Sequence, residues 1–242
     1  FSSDAVVALG GGDFGGPERW RPFRVQAGSV LRLSAARSGC RGYLAVAGGI
    51  AIPPVLGSAS TYVRAGIGGF RGRPLRDGDV LPLVRAPRKI RDRWRIDERI
   101  LPRYASAPAV RIIAGARRED FDVMCRAGAY RVTPQADRMG VRLAGTAIAR
   151  RRPDARSSPV APGTVQMPPD GQPIVLLADA QTIGGYPQVG YIASVDIPLV
   201  AQLRPGDAMR FVPVSMAEAR EAWLAREHAV SRLQEGLAQK LA

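Results

Sequence analysis

The chain repeats itself. Gly42-Tyr43-Leu44-Ala45-Val46-Ala47-Gly48-Gly49 matches Pro173-Ile174-Val175-Leu176-Leu177-Ala178-Asp179-Ala180 in pattern, and Leu75-Arg76-Asp77-Gly78-Asp79 matches Leu203-Arg204-Pro205-Gly206-Asp207. Both matches stand at nearly one offset, as they do when a whole unit is duplicated. Two unrelated turns built from common Gly-Asp chemistry are the alternative. With 242 residues to divide, each copy is large enough for one small core.

Each copy reads as mainly β. Apolar or alternating runs recur at Ala5 to Leu9, Ser29 to Leu33, Tyr43 to Val46, Val80 to Val84, Val110 to Ile113, Ile174 to Leu177 and Met209 to Val214. Gly, Pro and Asp separate them. Many short strands at such spacing favour a barrel or sandwich over alternating βα units. Helices are few. Glu119 to Ala127 is a short one, and Asp196 is placed to N-cap Ile197 to Leu203. Ser215 and Glu218 form a capping box. Beyond them Trp223, Val230, Leu233, Leu237 and Leu241 keep helical spacing to the end. The first lobe is expected over residues 1–100 and the second, with the terminal helix, over 101–242. The boundary falls near Ile90 to Pro108, and Ala149 to Pro162 forms a loop within the second lobe.

The net charge of +14 invites a nucleic-acid reading. Lys89 and Lys240 are the only lysines, so the charge is nearly all arginine. Its denser runs, Arg85 to Arg93 and Arg150 to Arg152, have no interleaved aromatics, which favours solvated surface charge over a nucleic-acid groove. An acidic partner protein is a third reading. No apolar run approaches the roughly 20 residues of a membrane helix, and no leader opens the chain. Cys40 and Cys125 lack C-x-x-C spacing and suit reduced thiols in the cytoplasm. The chain begins at Phe1 without Met, as a fragment or trimmed form does.

Absences narrow the chemistry. His228 is the only histidine, which argues against a Ser-His-Asp triad and a His-based metal site. Neither lysine follows a glycine loop, so there is no P-loop. No Met-Lys-Met occurs, so no biotin is carried covalently. Three segments remain. Gly57 to Phe70 is glycine-rich and carries Arg64, which suits an anion or a plain flexible loop equally. Thr133 to Gly140 carries Arg138, either a carboxylate or phosphate holder or a structural partner of Asp137. Ile174 to Leu177 is apolar enough for a buried strand. Asp179, Gln181, Thr182, Gly184, Gly185 and Tyr186 leave its end, where polar groups beside glycines suit either a small amide-like ligand or a satisfied polar turn.

These residues resemble a known family. Asp137-Arg138-Met139-Gly140, Gln166, and Leu176-Leu177-Ala178-Asp179 followed by Gln181-Thr182 and Gly184-Gly185-Tyr186-Pro187 are similar to the family of 5-oxoprolinase C subunits. That family is also called allophanate hydrolase subunit 2 or KipA-like, and it includes the biotin-dependent carboxyltransferase domain of urea carboxylase. Tyr43 to Ile50, Gly57-Ser58 and Leu75 to Leu81 match its first half. The chain departs from the family where Ser157-Ser158 replaces Ser-Glu, where Ile183 ends a Q-T-T stretch, and where Gly115-Ala116 replaces Gly-Pro. The family's glycine-rich opening segment does not precede Phe1.

The resemblance implies two tandem cyclophilin-like β-barrel lobes with a C-terminal helix. It implies a KipI-like partner of the B type, with an A-type component, in ATP-dependent opening of 5-oxoproline to glutamate. Carboxyl transfer from biotin to urea is the second enzyme reading. A KipA-like regulator that sequesters a kinase inhibitor is the non-enzyme reading. On the first reading Arg138 and Arg64 bind a carboxylate or phosphate. Gln166, Gln181 and Tyr186 orient the amide, Thr182, Gly184 and Gly185 line the site, and Asp179 accepts a proton.

Overall fold

The computed structural model describes residues 1–85, 94–148 and 156–241. The arginine run at 150–152, most of the run at 85–93, and parts of the loops expected at 90–108 and 149–162 lie outside the described residues. The fold is mainly β and ends in a helix. It divides into two compact units. The first holds residues 1–10, 16–33 and 43–96, and the second holds 11–15, 34–42 and 97–242.

Strand β1 (Ala5–Asp13) lies between β2 (Pro22–Val25) and β3 (Ser38–Val46) in a three-stranded sheet. Ala5 faces Val25 and Ala8 faces Pro22 across an antiparallel ladder. In the first unit Val6, Val7 and Leu9 are buried, and β4 (Thr61–Tyr62) pairs with β5 (Ile67–Gly68). Ser29 to Leu33 and Val80 to Val84 are not strands. Their pattern alternates, but Val30 and Val80 remain 71% and 76% exposed. Strand propensity expresses itself only where a neighbouring strand and a face to cover are present.

The second unit closes a barrel. Its strands are β6 (Ala109–Ala114), β7 (Ala129–Val132), β8 (Gly140–Ala144), β10 (Thr164–Gln166), β11 (Ile174–Leu176), β13 (Gln188–Ile192) and β14 (Ala208–Pro213), in the order β10-β11-β8-β7-β14-β6-β13. β10 and β13 pair to complete the ring. This is the one barrel that closes among the described residues. Alternate side chains fill it: Val110, Ile112, Val141, Leu143, Val165 and Val189 are almost wholly buried. The Tyr130 and Phe211 rings pack at 5.6 Å, tilted by 59°. Helix α1 (Arg118–Arg126) buries Phe121 and Met124 on the same core. A separate ribbon pairs β9 (Ser158–Pro159) with β12 (Ile183–Gly184).

The duplicated turn has the same atomic form twice. Arg76 N donates to Asp79 Oδ2 at 2.7 Å, and Arg204 N donates to Asp207 Oδ2 at 2.8 Å. Each aspartate N–H returns a bond to the arginine carbonyl, at 3.1 and 3.0 Å. Gly78 and Gly206 hold φ of 84° and 92°, left-handed values that favour glycine. In the second unit the turn feeds β14, and in the first it feeds the segment that forms no strand.

Helix α2 (Ile197–Ala201) is shorter than expected; Asp196 stands at its N-cap position, but its side chain makes no cap bond. Its carboxylate turns to Arg111, taking bonds from the backbone N at 2.8 Å, Nε at 2.9 Å and Nη2 at 2.6 Å. A guanidinium is a stronger partner than a helix N–H. The capping box forms as expected. Glu218 takes bonds from the Ser215 N and Oγ, and Ser215 Oγ takes one from Glu218 N. It opens α3 (Met216–Leu241). Among the described residues no helix is long and apolar enough to cross a membrane.

The core also sets an alkaline limit. Burial pushes the Cys125 thiol up to about 11 and the Tyr130 hydroxyl up to about 12. Both folded values lie above the ordinary 9.0 and 10.0. The neutral forms therefore contribute stability that is complete below the unfolded values and lost as pH rises through the folded ones. Urea melts should hold one midpoint up to about pH 9 and weaken progressively towards pH 12. A double Tyr130→Phe, Cys125→Ala variant should flatten that decline; an unchanged slope would contradict it.

Candidate active site

The expected site residues fall into separate groups. Arg64 lies in a single-turn 3-10 helix, Val63–Ala65, of the first unit. Every other candidate lies in the second unit. Ile174 to Leu176 form the buried central strand β11, between β10 and β8. Met139 and Arg138 run beside its far end: Leu177 N donates to Met139 O at 2.9 Å, and Asp179 N to Arg138 O at 3.2 Å. Across this junction Arg138 Nε meets Asp179 Oδ2 at 2.9 Å. Arg138 is thus engaged by Asp179 rather than by Asp137. Asp137 instead closes its own turn, its Oδ1 taking bonds from the N–H groups of Met139 and Gly140.

Gln166 stands at the other end of β11. Its Cα pairs with Ile174, the first residue of that strand, and with Gln188 on β13. The residue is 2% exposed, and Nε2 has no hydrogen-bond partner among the described residues. Such an orphan is costly in a folded protein and asks for a reason. Gly184 lies directly over it. A Cβ at position 184 would overlap Gln166 Nε2 and touch Val160 Cγ1 at 3.4 Å. The absence of a side chain at Gly184 is what lets the ribbon lie on this wall.

The structure therefore joins Arg138 to Asp179, and Gln166 to Gly184, but sets the two pairs at opposite ends of β11. A ligand the size of one small amide cannot span a strand, whose residues rise about 3.3 Å each. Gln181, Thr182, Gly185 and Tyr186 are exposed on the loop and ribbon between them. The Thr182 carbonyl accepts from Val160 N at 3.0 Å and extends the ribbon. Three further polar residues gather at Gln166: Ser158, marked in the sequence only as a departure from the family's Ser-Glu, and Gln188 and Tyr191, which no sequence motif marks. Gln188 Nε2 donates to Ser158 Oγ and to Pro159 O, both at 2.9 Å, and Tyr191 Oη donates to Gln188 Oε1 at 2.8 Å. The ladder between β10 and β13 shifts register between Val165 and Gln166. That bulge lets Gln166, Gln188 and Tyr191 share one wall, and bulges commonly re-aim side chains at sites.

No cluster of His, Cys, Asp or Glu suited to a metal ion occurs among the described residues. A cavity beside α1, lined by Glu119, Asp120, Val123, Arg126 and Ile148 among others, contains none of the residues discussed above. The chemistry the described residues offer at the Gln166 wall is hydrogen-bond donation to an oxygen acceptor.

The family description "carboxyltransferase domain, subdomain A and B" matches residues 1–213. The C subunit of the Escherichia coli K12 5-oxoprolinase is 39% identical over 209 residues, which is 84% of this chain and 65% of that protein. The urea amidolyase of Lachancea kluyveri is 26% identical over 280 residues, covering 100% of this chain and 15% of that protein. The crystal structure of the Kluyveromyces lactis urea carboxylase superposes with a TM-score of 0.86 at 25% identity, over 96% of this chain and 23% of that one. The chain thus spans about two thirds of its bacterial relative and a small part of the fungal ones.

Proposed function

The chain belongs to the family of carboxyltransferase domains built of subdomains A and B, and from that premise we infer that it is the carbonyl-holding part of a complex that opens 5-oxoproline to glutamate with ATP. Its relatives are parts of multi-component hydrolases and carboxylases, and it is a carboxyltransferase-domain component in that sense. One observation carries the finer reading. Gln166 Nε2 is a buried amide donor with no partner among the described residues. A donor held unpaired in a protein interior is pre-organised for an oxygen that arrives later.

On this reading Gln166 takes the ring carbonyl of the lactam. Its N–H stabilises the negative charge that grows on that oxygen as the C–N bond is attacked. Gly184 and Gly185 allow the backbone to approach closely. Arg138 stays paired with Asp179 at the other end of β11, beyond the reach of the same small lactam. ATP is assigned to the complex with a KipI-like, B-type partner and an A-type component, because neither lysine here follows a glycine loop. Greater identity to the bacterial 5-oxoprolinase component than to the fungal amidolyase supports 5-oxoproline over urea. The fungal likeness supports carboxyl transfer to urea as the second reading, because urea offers the same carbonyl.

The test is ATP-dependent glutamate release from 5-oxoproline by the reconstituted complex. Gly184→Ala should lower kcat/KM about 100-fold with the circular dichroism spectrum unchanged, because its Cβ displaces the Gln166 amide. A parent complex that releases no glutamate but carboxylates urea with a biotin carrier would replace this reading by the second.

A further inference from the structure

Gln166 does not stand alone on its wall. Val165 and Val189 point into the barrel core, so Gln166 and Gln188, each offset by one residue, project outward under the β9–β12 ribbon. The Gln188 amide is fixed from both ends. Pro159 O can only accept, so Nε2 must face it, and both Nε2 hydrogens are engaged, one by Pro159 O and one by Ser158 Oγ. Tyr191 Oη supplies the bond to Oε1.

This fixes what Ser158 can do. Its hydroxyl accepts from Gln188, so its own proton remains to be given, and no described residue takes it. Ser158 lies directly opposite Gly184 in the ribbon. Opposed residues in an antiparallel pair project from the same face. On that face of Gly184 sits Gln166 Nε2. Two unengaged donors, one hydroxyl and one buried amide, therefore flank a position that carries no side chain.

We propose that Ser158, oriented by Gln188 and Tyr191, is the second donor of a two-donor notch that, with Gln166 around Gly184, receives the carbonyl oxygen of a small amide or urea. The proposal deepens the amide reading above and rests on it. Gly184 covers Gln166, so the oxygen enters when β12 moves at Gly184-Gly185 while β9 stays bonded to Gln188. Only two residue pairs, Ile183 with Pro159 and Gly184 with Ser158, join β12 to β9, so such a movement breaks few ladder bonds.

The test uses the assembled complex and three probes read by ligand-observed NMR titration. These are 5-oxoproline, 2-pyrrolidinone (a ring carbonyl without a carboxylate) and proline (a carboxylate without a ring carbonyl). Ser158→Ala should weaken binding of the first two about tenfold, as loss of one hydrogen bond does, and leave proline unchanged. Tyr191→Phe, which frees the Gln188 amide, should weaken the same two about threefold, and it decides the matter where Ser158→Ala fails to assemble. A parent that does not bind 2-pyrrolidinone, or a Ser158→Ala variant that binds it undiminished, overturns the notch. An equal loss for proline overturns its carbonyl assignment. Selective loss of the carbonyl probes in a complex that releases no glutamate upholds the notch and sinks the ring-opening reading alone. Full glutamate release with unchanged KM in Ser158→Ala sinks the notch and leaves that reading standing.

Discussion

Gln166→Leu is expected to leave the barrel as stable as the parent or more so, while cutting turnover of 5-oxoproline about 100-fold or more. The two effects have one cause. A buried donor without a partner costs about 1–3 kcal/mol, and Gln166 Nε2 is such a donor. Leucine keeps much of the bulk and removes the cost, so a denaturant midpoint should hold or rise. The lost donor is the group assigned to the substrate carbonyl, so kcat should fall with it. A variant that loses stability and activity together would mark Gln166 as a packing residue. A variant that keeps full activity would remove it from the site.

Asp196→Ala is expected to have the largest effect on folding, a loss of about 2–4 kcal/mol. The Asp196 side chain is 4% exposed and holds the backbone N, Nε and Nη2 of Arg111. The bidentate bond raises the Arg111 pKa above its ordinary value. Removing the carboxylate strands the guanidinium and one β6 N–H together. Because Arg111 is 41% exposed, water recovers part of the loss, which sets the figure below that of a fully buried pair. Asp196→Asn keeps an acceptor for the N–H and should recover part of it. A midpoint unchanged in Asp196→Ala would show that the pair contributes nothing. Gln202 plays a related part in the same unit, where its amide bonds the N–H groups of Cys40 and Arg41 and the Arg41 carbonyl.

Much of the fold could be read from the residues. The Arg76 to Asp79 and Arg204 to Asp207 turns are duplicated in sequence and recur bond for bond. Ile174 to Leu177 reads as a central strand because it is apolar on both faces, and β11 has barrel strands on both sides. The capping box at Ser215 and Glu218 is local, so neighbouring residues suffice to find it. What depended on distant partners could not be read. Val80 to Val84 alternates like a strand but pairs only through one isolated bridge, Leu83 with Ile50. Asp196 stands where a cap would, but Arg111, far away in the chain, takes its carboxylate.

The site divides in the same way. Arg138, Asp179, Gln166 and Gly184 are visible as unusual residues beside a buried strand. Their division into two pairs at opposite ends of β11 is not, because sequence order does not tell which end of a strand each neighbour meets. Gln188 and Tyr191 carry no motif, and Ser158 is visible only as a departure from the family's Ser-Glu. They are brought to Gln166 by the register shift after Val165 and by a two-residue ribbon, and neither leaves a signature in composition or period.

The most direct measurement is a crystal structure of the assembled complex with 5-oxoproline bound. The ring carbonyl oxygen should lie within hydrogen-bond reach of Gln166 Nε2, about 2.7–3.2 Å, with β12 displaced at Gly184 to admit it. A lactam bound elsewhere, with Gly184 still closed over an unpaired Gln166, would contradict the assignment of this wall as the working surface.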